Sequence, residues 1–505
     1  MKTPEQILSN LNVSVYHDPV LRYPDEPPYS PHIRYPEYLF DDINEKTNSV
    51  YDAVRNGLFT LGLDKDNFGT PQWSPFKEMI KPTDTVVIKP NFVLSNHDKG
   101  GDLFSIITHP SVIRAVVDYV YSTLAGKGRI IIVDAPQMDC NFKEQLEKTK
   151  LESIKELYEK ELGFNIEIYD LRDFWLDKKG NSEAAYSKNR HKLPGDPLGG
   201  ILVNLGKESL FYGVNNYKRF YGADYNREET IRHHQEDVQE YLVSKTILSA
   251  DVVISVPKLK VHKKVGVTIN IKGLVGTCIN KNYLVHYTLG TPSEGGDQFP
   301  DGILNAKEAT VVKLQRWAYD MFLSRKNLIG DFLYEMAVKV GKVFLKPLGF
   351  KSLDKDKSIL DAGNWHGNDS AWRMAVDLLK IFIYGDKEGN LQDAPVRRMF
   401  SIVDGVIGGE GDGPLTPDGK RSGLIVAGFN PCAVDLVCTR LMGFDYKKIE
   451  MLRYILDYPE LFKVSLRKIR VFSKRDFSDL FDEENKNKYF NFEPHPGWKG
   501  FIEVA

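Results

Sequence analysis

TVVIKPNFV (85–93), followed by HPSVIRAVVDYVYSTLAGKGRIIIVDAP (109–136), is the stretch whose reading decides the fold. The first piece is a short β-branched run ended by Lys89-Pro90. HPSVIRAVVDYVYSTLAGKG has helical periodicity with Gly126 as its stop, and RIIIVDAP is a second strand-like run. Strand, helix and strand in that order predict a βαβ unit with parallel strands and a right-handed crossover. LESIKELYEKELGF (151–164) continues as helix and NIEIYDL (165–171) as strand. Farther along, GGILVNLG reads as strand and QEDVQEYLVSKTILSADVVISVPK (235–258) as helix followed by strand. FSIVDGV (400–406) and SGLIVAG (422–428) read as strands, and NPCAVDLVCTRLMGF as a helix with Asn430 as N-cap and Pro431 at its first position. The expected class is α/β, a mainly parallel sheet flanked by helices.

Around this core the chain divides into four parts. Residues 1–80, rich in Pro, Tyr and Asp (YPDEPPYSPHIRYPEY), form an irregular N-terminal extension packed on the core. Residues 81–280 are the first part of the α/β core, 281–395 a mainly helical insertion, and 396–505 the second part of the core with a C-terminal tail. At 505 residues with 42% apolar side chains, the chain can bury a large core. Lys and Arg (67) nearly cancel Asp and Glu (69), which argues against a protein whose main business is coating nucleic acid or an anionic membrane and makes any cation cluster local. Cys140, Cys278, Cys432 and Cys438 form no C-x-x-C pair, so neither a zinc ribbon nor a self-held iron–sulfur cluster is expected. No apolar run approaches the ~18 residues of a spanning helix, and a cytoplasmic protein is expected.

Polar residues fall where the strands stop: Lys89 and Asn91, Asp134, Lys258, and Asp404. Ligand crevices of open parallel sheets lie beyond the carboxyl ends of their strands, so these four ends predict one shared site. The plain alternative is that strand ends are polar because the chain leaves the core there. VPKLKVHKKVGVTINIKGLVG (256–276), read as extended chain, puts Lys258, Lys260 and His262 on one face and, farther on, Thr268, Asn270 and Lys272 on one face. On that basic face, neighbouring positive charge favours neutral His262, the preferred proton-transfer residue.

Asp404 opens DGVIGGEGDGP (404–414), for which three uses compete. Gly411 and Gly413 can offer backbone N–H groups to an anion, Glu410 and Asp412 can hold a hard cation such as Mg²⁺, or the segment is a glycine-rich surface turn. The metal set would be Asp134, Asp404, Glu410 and Asp412. Inside the insertion, LIGDFLYEMAVKVGKVFLKPLGF (328–350) pairs large apolar residues with Lys339, Lys342 and Lys346 at helical spacing. Such a helix either lies on a membrane surface or packs on the core.

Together, VVIKPNFV, THPSVIRAVVDYV, IIIVDAP, ADVVISVPKLKVH, INIKGLVG, SIVDGVIGGEGDGP and NPCAVDLVCTRLMGFD resemble the prokaryotic domain-of-unknown-function 362 family, in order from about residue 85 to 445. The resemblance implies an α/β domain whose recurrent motifs fall here on Lys89, Asn91, Lys258, Lys260, His262, Asn270, Lys272, Asp404, Glu410 and Gly413. Many relatives carry a ferredoxin-like module, which this chain's four scattered cysteines cannot reproduce, so a redox role would need an iron–sulfur or flavin partner. The leading expectation is an enzyme acting on an anionic small molecule, with a phosphate or carboxylate on Lys89, Lys258, Lys260 and Lys272. His262, Asp404 and Glu410 would do acid–base work. A non-catalytic ligand holder or scaffold is the alternative from another class.

Overall fold

The computed structural model describes residues 1–177, 189–223, 226–322, 328–345, 353–482 and 489–504. Its centre is a ten-stranded mixed sheet built from β1 (Asn12–His17), β2 (Thr85–Pro90), β3 (Arg129–Asp134), β4 (Ile166–Asp170), β5 (Val252–Val256), β6 (Lys258–His262), β7 (Gly266–Thr268), β8 (Arg398–Glu410), β9 (Asp418–Gly428) and β10 (Arg470–Phe472). The strand order is β10-β1-β9-β8-β5-β2-β3-β4, with β6 paired to both β7 and β8. β8, β5, β2, β3 and β4 run parallel, and β9 is antiparallel to both of its neighbours. The α/β class and the βαβ unit are therefore as the sequence reads. Continuous apolar runs such as VVI and IIIV fit this position, because a parallel strand covered on both faces has no solvent side to alternate with.

The helix of that unit, α1 (Pro110–Leu124), is capped by His109, whose side chain accepts from Ser111 N, and it ends at Ala125 in the left-handed region, one residue before the expected Gly126. A second helix, α2 (Ala371–Tyr384), is buried at all but one position and lies against the turn that follows β7. The third, α3 (Pro431–Leu441), starts at Asn430 as expected, with the Asn430 side chain accepting from Cys432 N and Ala433 N.

Three readings are corrected. Residues 238–244 are a strand, not a helix: buried residues alternate along VQEYLVS, which pairs antiparallel with Gly200–Asn204. The extended parity of 256–276 ends at Thr268, because Asn270–Gly273 is a helical turn. Most of the glycine-rich segment is not a loop, since Asp404–Glu410 belongs to β8 and pairs with β9 up to Glu410↔Asp418. The N-terminal extension supplies β1, which sits between β9 and β10.

In the insertion, α4 (Ala306–Phe322) packs against α5 (Leu328–Leu345) around Ala318, Tyr319 and Tyr334. The outer face stays open: Leu314, Trp317 and Met321 of α4 and Leu328, Ile329, Phe332, Met336, Val340 and Val343 of α5 are all exposed. Residues 346–350 of the stretch singled out above, Lys346 included, lie outside the described residues, as does the side chain of Lys342. Among the described residues no helix is long and apolar enough to cross a membrane.

Candidate functional site

Two of the four strand-end charges neutralise the other two. Lys89 Nζ lies 2.9 Å from Asp134 Oδ1, and Phe92 N donates to Asp134 Oδ2 at 2.7 Å. Lys258 Nζ lies 3.0 Å from Asp404 Oδ2 with neither side chain exposed to solvent. Tyr23 of the N-terminal arm closes this second group: its hydroxyl accepts from Lys258 Nζ at 2.6 Å and donates to Asp404 Oδ1 at 2.6 Å, while His109 N donates to Asp404 Oδ2. Burial pulls the Lys258 amine down and Asp404 opposes it. Charges taken out of water need such partners, so both groups brace the strand ends.

Beyond them lies a cavity of about 400 Å³. Asn91, Asp134, Lys260, His262 and Lys272 of the expected set line it. Lys89, Lys258, Asn270, Asp404, Glu410, Gly411, Asp412 and Gly413 do not, although Pro414 and Leu415 do. Asn270 instead belongs to a clamp under the wall: Asp435 of α3 accepts from Asn270 N, Asn270 Nδ2 and Ile271 N at 2.9 to 3.0 Å, and Ser401 donates to Asn270 Oδ1. That clamp fixes the turn which delivers Lys272. Close approach fixes its other end, since a Cβ on Gly276 would overlap the Asp134 carboxylate and come within 2.7 Å of Lys89 Nζ.

The wall also holds Lys263, Lys264, Lys281, His286 and Thr268. Lys263 and Lys264 were in plain view beside His262, whereas nothing local in INKNYLVHY marks Lys281 and His286. Five lysines thus line a cavity whose single carboxylate among the described residues, Asp134, is already paired.

The lysines differ in how many of their three N–H donors are used. Lys281 Nζ donates to Ala135, Val275 and Cys278 carbonyls. Lys260 Nζ donates to Ile106 O and Pro414 O, and Lys264 Nζ to Ala362 O. Lys272, 5% exposed, makes no hydrogen bond or ion pair among the described residues. Asn91 Nδ2 and Thr268 Oγ1, also in the wall, are buried polar atoms without a partner among the described residues. Desolvation pushes Lys260 and Lys264 well down, Lys272 to about 7 and Lys281 to about 8, in each case with help from a neighbouring lysine or arginine.

The two histidines are complementary. His262 Nδ1 accepts from Lys264 N at 3.0 Å, so its neutral ring carries the proton on Nε2; His286 Nδ1 donates to Leu284 O at 2.9 Å, leaving Nε2 as an acceptor. Burial, then Lys272, holds both well below the usual histidine range.

The expected metal set is not gathered. Glu410 sits 3.1 Å from Lys420 and accepts from Glu493 N; Asp412 is held by His495, Lys99 and Thr416, which keep its carboxyl well below the usual range. Among the described residues no group of three His, Cys, Asp or Glu is placed to hold a metal ion. All four cysteines are free and buried, and desolvation raises each thiol.

The fold and site define a mixed, mostly parallel α/β protein with a lysine-lined cavity beyond its strand ends. The chain belongs to the family described as domain of unknown function (DUF362), whose model matches residues 86–174 and 196–440 and so takes in the lysines and histidines of the cavity. No curated protein and no solved structure matches it significantly.

Proposed function

We propose that this cavity binds an anionic small molecule bearing a phosphate or carboxylate, and that the protein is an enzyme acting on it. The observation that carries the reading is the unspent donor capacity of Lys260, Lys264 and Lys272, next to the orphaned Asn91 Nδ2 and Thr268 Oγ1. Buried donors left without partners are costly, and an oxyanion is the species that satisfies several at once. His262 as donor and His286 as acceptor supply the proton-transfer groups. Titration calorimetry of the full chain with inorganic phosphate and pyrophosphate tests the binding. The reading expects affinity to fall roughly ten- to hundredfold for each of Lys264→Ala and Lys272→Ala. A wild-type protein that binds neither anion contradicts it.

The insertion supports a further surface role, contact with an anionic membrane. The open apolar face of α4 and α5, Trp317 included, sits in a segment (306–351) with nine basic and four acidic residues, net +5, inside a chain of net −2. Apolar insertion beside positive charge is the chemistry that anionic lipid surfaces select. Co-sedimentation with phosphatidylserine-containing vesicles is expected for the wild type and lost in Trp317→Glu/Phe332→Glu. Equal sedimentation with purely zwitterionic vesicles, or none with either, rules the lipid reading out.

A further inference from the structure

Resting on the anion-binding reading of the same cavity, we infer that Lys272 is its reacting amine and forms an imine with a small anionic aldehyde or ketone, whose carboxylate or phosphate is held by Lys260 and Lys264. The distinction among the amines is geometric. Lys281 spends all three donors on carbonyls and Lys260 two, so each amine is held to the frame by its own hydrogen bonds. Lys272 has no such bond, no carboxylate partner among the described residues, and a place in the cavity wall. An amine so placed is free to present a lone pair, which is what attack on a carbonyl carbon needs. Desolvation beside Lys281 moves its titration to about 7, so a large fraction is unprotonated at neutral pH.

The surroundings supply the remaining steps. His286 Nε2 takes the protons lost by the adding amine and returns them to the departing oxygen, while neutral His262 Nε2–H donates a hydrogen bond to that oxygen and keeps its proton. The Lys272 nitrogen forms the C–N bond as the carbonyl π pair moves to oxygen. The nitrogen loses two protons in all and the oxygen gains two, departing as water and leaving the C=N bond. No oxidant or reductant is required. The Asp435 clamp on Asn270 and Ile271 keeps the turn, and hence the amine, in place.

The test uses the full chain with pyruvate and with glyceraldehyde 3-phosphate, each reduced with borohydride and mapped by peptide mass spectrometry. The expected result is one dominant reduced adduct, on Lys272, with either probe, suppressed by excess pyrophosphate. Lys272→Arg should lose the adduct, and because the mapping is read on the wild type, the test stands even where that variant folds or binds poorly. No dominant adduct, or one on another lysine, with pyrophosphate binding intact, overturns the imine and leaves the anion site standing. Failure of both adduct and pyrophosphate binding overturns the two readings together.

Discussion

A lysine at the end of a buried strand has two fates here. Lys89 and Lys258 are matched by carboxylates and become part of the frame, while Lys272, in the turn after β7, has no carboxylate partner among the described residues and lines the cavity. The difference is measurable. Asp134→Ala leaves the Lys89 ammonium buried without its partner and is expected to lower unfolding free energy by about 3–5 kcal/mol, read by denaturant melting. A loss below ~1 kcal/mol would show that the pair is dispensable. Lys272 makes the opposite prediction, on ligand binding. Its amine titrates near 7 in the empty cavity, and a bound anion favours the charged form. Affinity is therefore full below about pH 7, weakens as pH rises above it by up to roughly tenfold per unit, and binding above pH 7 takes up protons. Calorimetry at pH 8 in two buffers of different ionisation heat reads that uptake directly; zero uptake would mean that the cavity lysines stay charged when empty.

At the scale of elements, what the sequence makes legible is what local pattern controls. The βαβ unit, the Asn430 cap and the insertion helices all follow from periodicity and capping chemistry. The misread elements are those decided by partners far away. VQEYLVS is a strand because Gly200–Asn204 pairs with it, and Asp404–Glu410 stays in β8 because β9 returns alongside. Thr268 to Lys272 departs from extended parity because Asp435, about 165 residues on, takes the N–H groups of Asn270 and Ile271. This clamp is testable. Asp435→Ala orphans buried donors, each costing about 1–3 kcal/mol, and frees the turn that carries Lys272. The variant is expected to lose both stability and pyrophosphate affinity, whereas Asp435→Asn, which keeps an acceptor, should retain more of each. Lost stability with unchanged affinity would detach the clamp from the site.

At the scale of the whole molecule, the cavity is assembled from segments far apart in the chain, Asn91, Asp134, Lys260 to Lys281, His286, Asn364 and Pro414. Strand-end reasoning found the right edge of the sheet and the wall residues Asn91 and Asp134, and the parity of 256–276 added Lys260, His262 and Lys272. It could not foresee that Asp404 and Lys258 would be closed off by Tyr23, because that contact spans 381 residues of sequence and leaves no local trace. Nor could it separate the pairing carboxylates from metal ligands, since the chemistry of the side chain is the same and only the neighbour differs. The account stands on the cavity being an anion site. Native mass spectrometry of the full chain titrated with pyrophosphate, with Lys264→Ala/Lys272→Ala alongside, addresses that most directly. The account predicts a one-to-one adduct on the wild type that the double variant loses while keeping its fold. An adduct of equal strength on both proteins, or none on either, would contradict it.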